Sequence, residues 1–111
     1  MKTKDELAQE LELLKNRYGK VRTLEVPLDE EEGGEFATLF LKKLDRQTYS
    51  ALMGLYRNSA DPFRAYEFVL KALYIGGDDL IVVIDNDDAM LSLGGILAEL
   101  LPQKIASLKK N

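Results

Sequence analysis

Val21–Lys42 reads VRTLEVPLDEEEGGEFATLFLK, and the period of its apolar residues decides the fold. Val21 to Leu28 alternates with period two, so Leu24, Val26 and Leu28 share one face of an extended strand. Phe36 to Lys42 resumes the alternation, with Phe36, Thr38 and Phe40 on the face opposite Ala37, Leu39 and Leu41. The intervening DEEEGGE, Asp29 to Glu35, reads as a turn in which Gly33 and Gly34 supply positive φ, which makes the whole stretch a β-hairpin. Pro27 has no N–H for a ladder and places the first strand at a sheet edge. The four acidic residues at the tip keep that end soluble. Consecutive carboxylates on such a loop lack the fixed oxygen cage that calcium needs, so no metal is assigned there.

Upstream of the hairpin the period is helical. Thr3 or Asp5 caps a first helix in which Leu7, Leu11, Leu14 and Tyr18 recur at steps of four, three and four, and Gly19 stops it. That stripe is too short for a dependable coiled coil, so it has to dock, either on its own domain, which is the stronger reading, or on a partner. The chain therefore divides into an N-terminal amphipathic helix, residues 1–18, and a single α+β domain, residues 19–111.

Downstream, Asp45 caps a second helix running to Arg57, with Thr48 or Tyr49, Leu52, Met53 and Tyr56 turned inward. Asp61-Pro62 is a strong start for a third helix, through Phe63, Tyr66, Val69, Leu70, Leu73 and Tyr74, closed by Gly76-Gly77. That helix is apolar on more than one side and reads as the centre of the core. The last helix carries Met90, Leu93, Leu97, Leu100 and Leu101, contains Gly94-Gly95 and meets Pro102, after which Ile105 and Leu108 continue the stripe. Two glycines within a helix each cost about 1 kcal/mol relative to alanine, which points to close packing with another backbone. Lys104, Lys109 and Lys110 suit a helix C-terminus.

Between these helices lies LIVVIDNDD, Leu80 to Asp88. A β-branched run ending in Asp85, Asn86 and Asp87 resembles the first motif of haloacid-dehalogenase-type phosphotransferases, and the resemblance implies Asp85 as nucleophile and Asp87 as acid/base. The plainer account makes Leu80–Ile84 a short buried strand or extended connector, and Asp85 to Asp88 the capped, dipole-favoured first turn of the next helix. The expected architecture is thus α+β: an antiparallel hairpin, extended to three strands if Leu80–Ile84 joins it, packed on three to four helices, with the N-terminal helix leading.

Composition narrows the chemistry. The 111 residues include no histidine and no cysteine, which removes the usual general base at neutral pH, the thiolate nucleophile, disulfides and the common zinc sites. Fifteen Lys and Arg against nineteen Asp and Glu give a net charge of -4, without the basic footprint of a nucleic-acid or anionic-membrane binder. No run approaches the roughly 18 apolar residues of a membrane span, and the start MKTKDELAQE lacks the apolar core of a signal peptide, so a cytoplasmic protein is expected. No cofactor and no metal is expected.

The order of segments carries a resemblance of its own. A hairpin ending in FLKKLDRQTYSAL, with a Lys-Lys-x-Asp-Arg junction at Lys42 to Arg46, precedes a helix opening DPFRAYEFVLKALYIGGDD, and a lysine-rich terminus closes LAELLPQKIASLKKN. Over about residues 20 to 111 this resembles small tail assembly chaperone-like proteins of tailed phages and prophages. The resemblance implies a non-enzymatic protein of the bacterial host cytoplasm that binds apolar segments of another tail component, such as the tape-measure protein. The residues singled out for partner binding are Leu7, Leu11, Leu14 and Tyr18 at one end and Leu97, Leu101, Ile105 and Leu108 at the other. Two rival classes stand beside it: a carboxylate-based, metal-dependent phosphohydrolase or phosphotransferase using Asp85 and Asp87, and a homo-oligomeric structural protein.

Overall fold

The alternating segment folds as an antiparallel pair, β1 (Val21–Pro27) and β2 (Phe36–Lys42), in continuous register from Val21 opposite Lys42 to Pro27 opposite Phe36. The computed structural model describes residues 1–29, 34–58 and 60–98, and of the last two only the backbone. Pro27 ends β1, which lies at the sheet edge, and the Leu28 N–H donates to the Glu35 carbonyl at 2.8 Å to extend the hairpin by one more contact. Gly34 does not take the positive φ expected of it; a Cβ there would collide with the Asp29 carboxylate, so glycine serves at this position by leaving space. Gly33 and the acidic tip lie outside the described residues.

A third strand joins the other side of β2, but it is not the one expected. β3 is Tyr74–Gly77, pairing Leu39 with Gly77, Phe40 with Gly76 and Leu41 with Tyr74 across a bulge, and giving the order β1-β2-β3, all antiparallel. Leu80–Ile84 is instead a short helix, α4, capped by Asp79, whose carboxylate accepts from the Ile81 N–H at 3.1 Å. Strand preference reflects the packing surface more than the backbone, and here Gly77 has the decisive property: it brings β3 close to β2. At Gly77, with φ +99, a Cβ would meet the carbonyl of Thr38 and the backbone of Leu39 and Phe40. The third helix accordingly stops at Leu73, before the strand begins, and does not run through Tyr74 to the glycines.

Four helices cover one face of the sheet. α2 (Arg46–Asn58) begins at Asp45, whose carboxylate accepts from the Thr48 N–H at 2.7 Å, and α3 (Pro62–Leu73) begins at Asp61 with Pro62 in its first turn. α4 and α5 (Asp87–Ala98) complete the layer. Leu24, Val26, Ala37, Leu39 and Leu41 from the sheet meet Leu52, Ala65, Val69, Leu70, Leu73, Val83, Ala89 and Leu93 in one continuous core. The many-sided apolar character of α3 is explained by its place between α2, α4, α5 and β2. Tyr56, expected inside α2, is 41% exposed; Leu52 is the fully buried residue of that helix.

Inside α5 the glycine pair does not meet a backbone. Gly94 faces the Tyr66 hydroxyl, 2.8 Å from where a Cβ would stand, and Gly95 faces open space. Before α5, the cap expected within Asp85 to Asp88 is Asn86: its Oδ1 accepts from the Ala89 N–H at 2.9 Å and its Nδ2 donates to the Leu28 carbonyl at 2.9 Å, which fastens the hairpin to the helix. Asp87 and Asp88 occupy the first turn.

The opposite face of the sheet receives α1 (Lys4–Tyr18) alone among the described elements. Its start is a capping box: the Glu6 N–H donates to Thr3 Oγ1 at 3.2 Å while the Thr3 N–H donates to the Glu6 carboxylate at 3.1 Å. No helix among the described residues is long and apolar enough to cross a membrane.

Candidate functional site

The pleat that sends Ala37, Leu39 and Leu41 into the core sends Phe36, Thr38 and Phe40 to the other side, beneath α1. Thr23 and Glu25 of β1 complete that outer surface, and α1 crosses it with Leu7, Ala8 and Leu11 turned down. The fit is incomplete. None of the α1 side chains is fully buried, and a crevice of about 520 Å³ runs between helix and sheet, with Met1, Lys2 and Asp78 at one end. Phe40 forms its floor at 2% exposure, whereas Phe36 at its mouth is 49% exposed.

A polar latch holds α1 at the β3 side. Asp78, the one buried charged residue among those described, is 3% exposed and accepts the Thr38 N–H at 2.7 Å and the Lys2 N–H at 3.0 Å on its two carboxylate oxygens. Its own N–H donates to the Thr38 carbonyl at 2.7 Å, and its carbonyl accepts from the Tyr74 hydroxyl at 2.9 Å. Glu10 adds a second point: one carboxylate oxygen accepts the Gly77 N–H at 3.0 Å and the other meets the Lys2 ammonium at 2.6 Å. That hydrogen bond, together with the Glu10 charge, holds the Lys2 pKa above its ordinary value. Gly76 makes the approach possible, because a Cβ there would meet the Glu10 carboxylate and the Leu14 methyl.

The sequence-derived stripe is therefore divided. Leu7 and Leu11 line the crevice, Leu14 packs over Gly76, and Tyr18 lies exposed beyond them with the Arg17 guanidinium 5.7 Å from its ring centroid. Leu97 falls in α5, where only its backbone is described, and Leu101, Ile105 and Leu108 lie outside the described residues. The aspartates near position 85 take structural places: Asp85 closes α4 through its N–H to the Ile81 carbonyl, and Asp87 lies in the first turn of α5. The dehalogenase-type motif needs a strand before its first aspartate, and α4 stands there. Among the described residues no three acidic side chains come together as metal ligands would.

Sequence reasoning missed three members of this site. Phe36 and Phe40 were legible as the second face of a strand, but nothing in the period said that this face is roofed by a helix with a gap beneath it. Asp78 carried no signal beyond following two glycines; its burial depends on β3, which forms at Tyr74–Gly77 and not at Leu80–Ile84. No protein-family model, curated protein or solved structure matches the chain.

Proposed function

We propose that the chain is a non-enzymatic protein-binding or assembly module, of the kind its resemblance to phage tail assembly chaperones suggests, and that it takes up an apolar segment of a partner protein between α1 and the outer face of the sheet. One observation carries the reading: the N-terminal stripe lies over a sheet surface that sets Phe36 and Phe40 among Thr23, Glu25 and Thr38, yet leaves a crevice of about 520 Å³ and the Phe36 ring half in water at its mouth. Large apolar side chains left around a concave surface favour an amphipathic or extended partner segment. Three half-buried leucines contribute on the order of 3 kcal/mol to the docking of α1, beside the polar latch of Asp78 and Glu10, so a guest enters the crevice with α1 still tethered at its β3 side. The absence of histidine and cysteine, the place of Asp85 at the C-terminal end of α4 and that of Asp87 in the first turn of α5 favour this reading over the phosphohydrolase alternative.

The test uses a defined client, the apolar segment of a tail tape-measure protein, whose aggregation is followed by light scattering. The chain should suppress aggregation near equimolar ratio, and Phe36→Ser and Leu7→Glu should each abolish most of that effect while the folded spectrum is retained. Full suppression by both variants would contradict the reading, as would magnesium-dependent turnover of a phosphorylated compound lost in Asp85→Asn.

A further inference from the structure

On the helical side of the molecule, away from α1, a second apolar hollow of about 460 Å³ opens between the start of α3, the end of α4 and the first turns of α5. Phe63, Ile84, Met90 and Leu91 form it; Phe63 is 38% and Leu91 64% exposed, and neighbouring Ile81 is 55% exposed. Phe63 is held upright by an edge-to-face contact with Tyr66, ring centroids 5.8 Å apart. The charged residues lining the hollow are Glu67 and Asp87, and no basic residue lines it; adjacent in sequence to its lining stand Asp85 and Asp88 on one side and the exposed Arg64 on the other. Glu67 is paired at 2.8 Å with exposed Lys71, but no ion pair among the described residues reaches Asp85, Asp87 or Asp88.

From this charge pattern we infer that the hollow docks an amphipathic helix of another protein, one that carries lysine or arginine beside its apolar stripe. Phe63 and Leu91 give such a helix two raised apolar contacts, and the acidic rim meets its basic flank. A partner with acidic flanks would bring like charges together and be rejected, so the rim acts as a selector as well as an attractor. Because the approach is charge-steered, binding weakens with salt. The surface is separate from the crevice under α1, and its occupation does not depend on that crevice having a guest.

The probe is a synthetic leucine–lysine peptide of about 14 residues patterned as an amphipathic helix, compared with its leucine–glutamate counterpart and with a scrambled leucine–lysine peptide. Each is titrated into the isotope-labelled full chain by NMR. The patterned lysine peptide should shift resonances of Phe63, Ile84 and Leu91 and bind at least about tenfold more tightly than either control. Raising salt to about 0.5 M should weaken it severalfold. Leu91→Gln, at an exposed position that leaves the core intact, should weaken it about tenfold, and Asp87→Asn about threefold, whereas Leu11→Glu in the other crevice should leave it unchanged. Equal binding of the scrambled peptide, indifference to Leu91→Gln, or shifts confined to α1 and the outer sheet face would overturn the proposal. So would contacts from residues 99–111 to Leu91 in the free chain, or concentration-dependent broadening there, which would give the surface to the chain's own terminus or to a second copy.

Discussion

Asp78 concentrates more of this structure than any other single residue, because its carboxylate joins the N-terminus to β2 while its backbone closes the β2–β3 edge. Replacing it with asparagine keeps the volume but trades one of its two acceptor oxygens for a donor, which then faces the N–H of Thr38 or of Lys2. Asp78→Asn should therefore lower unfolding free energy by about 2 kcal/mol in urea titration, with loss of amide protection at Thr38 and Lys2. Tyr49 offers the opposite case. Its hydroxyl is buried with no partner among the described residues, so Tyr49→Phe removes an unmet polar group and should be neutral or stabilising by up to about 1 kcal/mol. Asp45 and Glu6 show how caps respond to acid: the backbone N–H of Thr48 and that of Thr3 hold their carboxyls below the ordinary carboxylate range. A group with a depressed folded pKa stabilises above its unfolded value and loses that contribution as pH falls through the folded one. Unfolding scans should thus show stability declining as pH drops through and below the carboxylate range, and Glu6→Gln should flatten part of that slope.

Among the elements, β3 and α4 show what the sequence did and did not disclose. Period two in Val21–Lys42 gave both faces of the hairpin correctly, Asp45 and Asp61 gave the starts of α2 and α3, and Thr3, offered beside Asp5, gave that of α1, because those signals are local and physically complete. The glycine pair at Gly76-Gly77 is ambiguous from sequence: it stops a helix equally well whether a loop or a strand follows, and only the approach of β2 distinguishes them. Likewise LIVVI favours a strand by composition until Asp79 caps it into a turn of helix. The two glycines should separate in experiment. Gly77→Ala forces both a positive φ and a collision with backbone, and should cost at least about 3 kcal/mol. Gly76→Ala meets side chains of α1, so it should leave the inner core intact while hydrogen exchange quickens along Lys4–Tyr18.

At the scale of the whole molecule, the sheet has one face sealed by four helices and another roofed by a single helix that does not close upon it. The candidate site follows from that asymmetry. Leu7 and Leu11 were readable as half of it, since a stripe without a visible partner must dock somewhere; Phe36 and Phe40 were not, since their role depends on two segments far apart in the chain meeting across a sheet. The claim that the outer sheet face under α1 is the working surface is tested most directly by NMR mapping of the labelled full chain with the tape-measure segment. Resonances of Leu7, Leu11, Phe36, Thr38 and Phe40 should shift together and saturate with one equivalent, while those of the inner core at Leu52, Leu70 and Leu93 stay in place. Binding that moves none of the five, or that proceeds unchanged in Phe36→Ser, would contradict it.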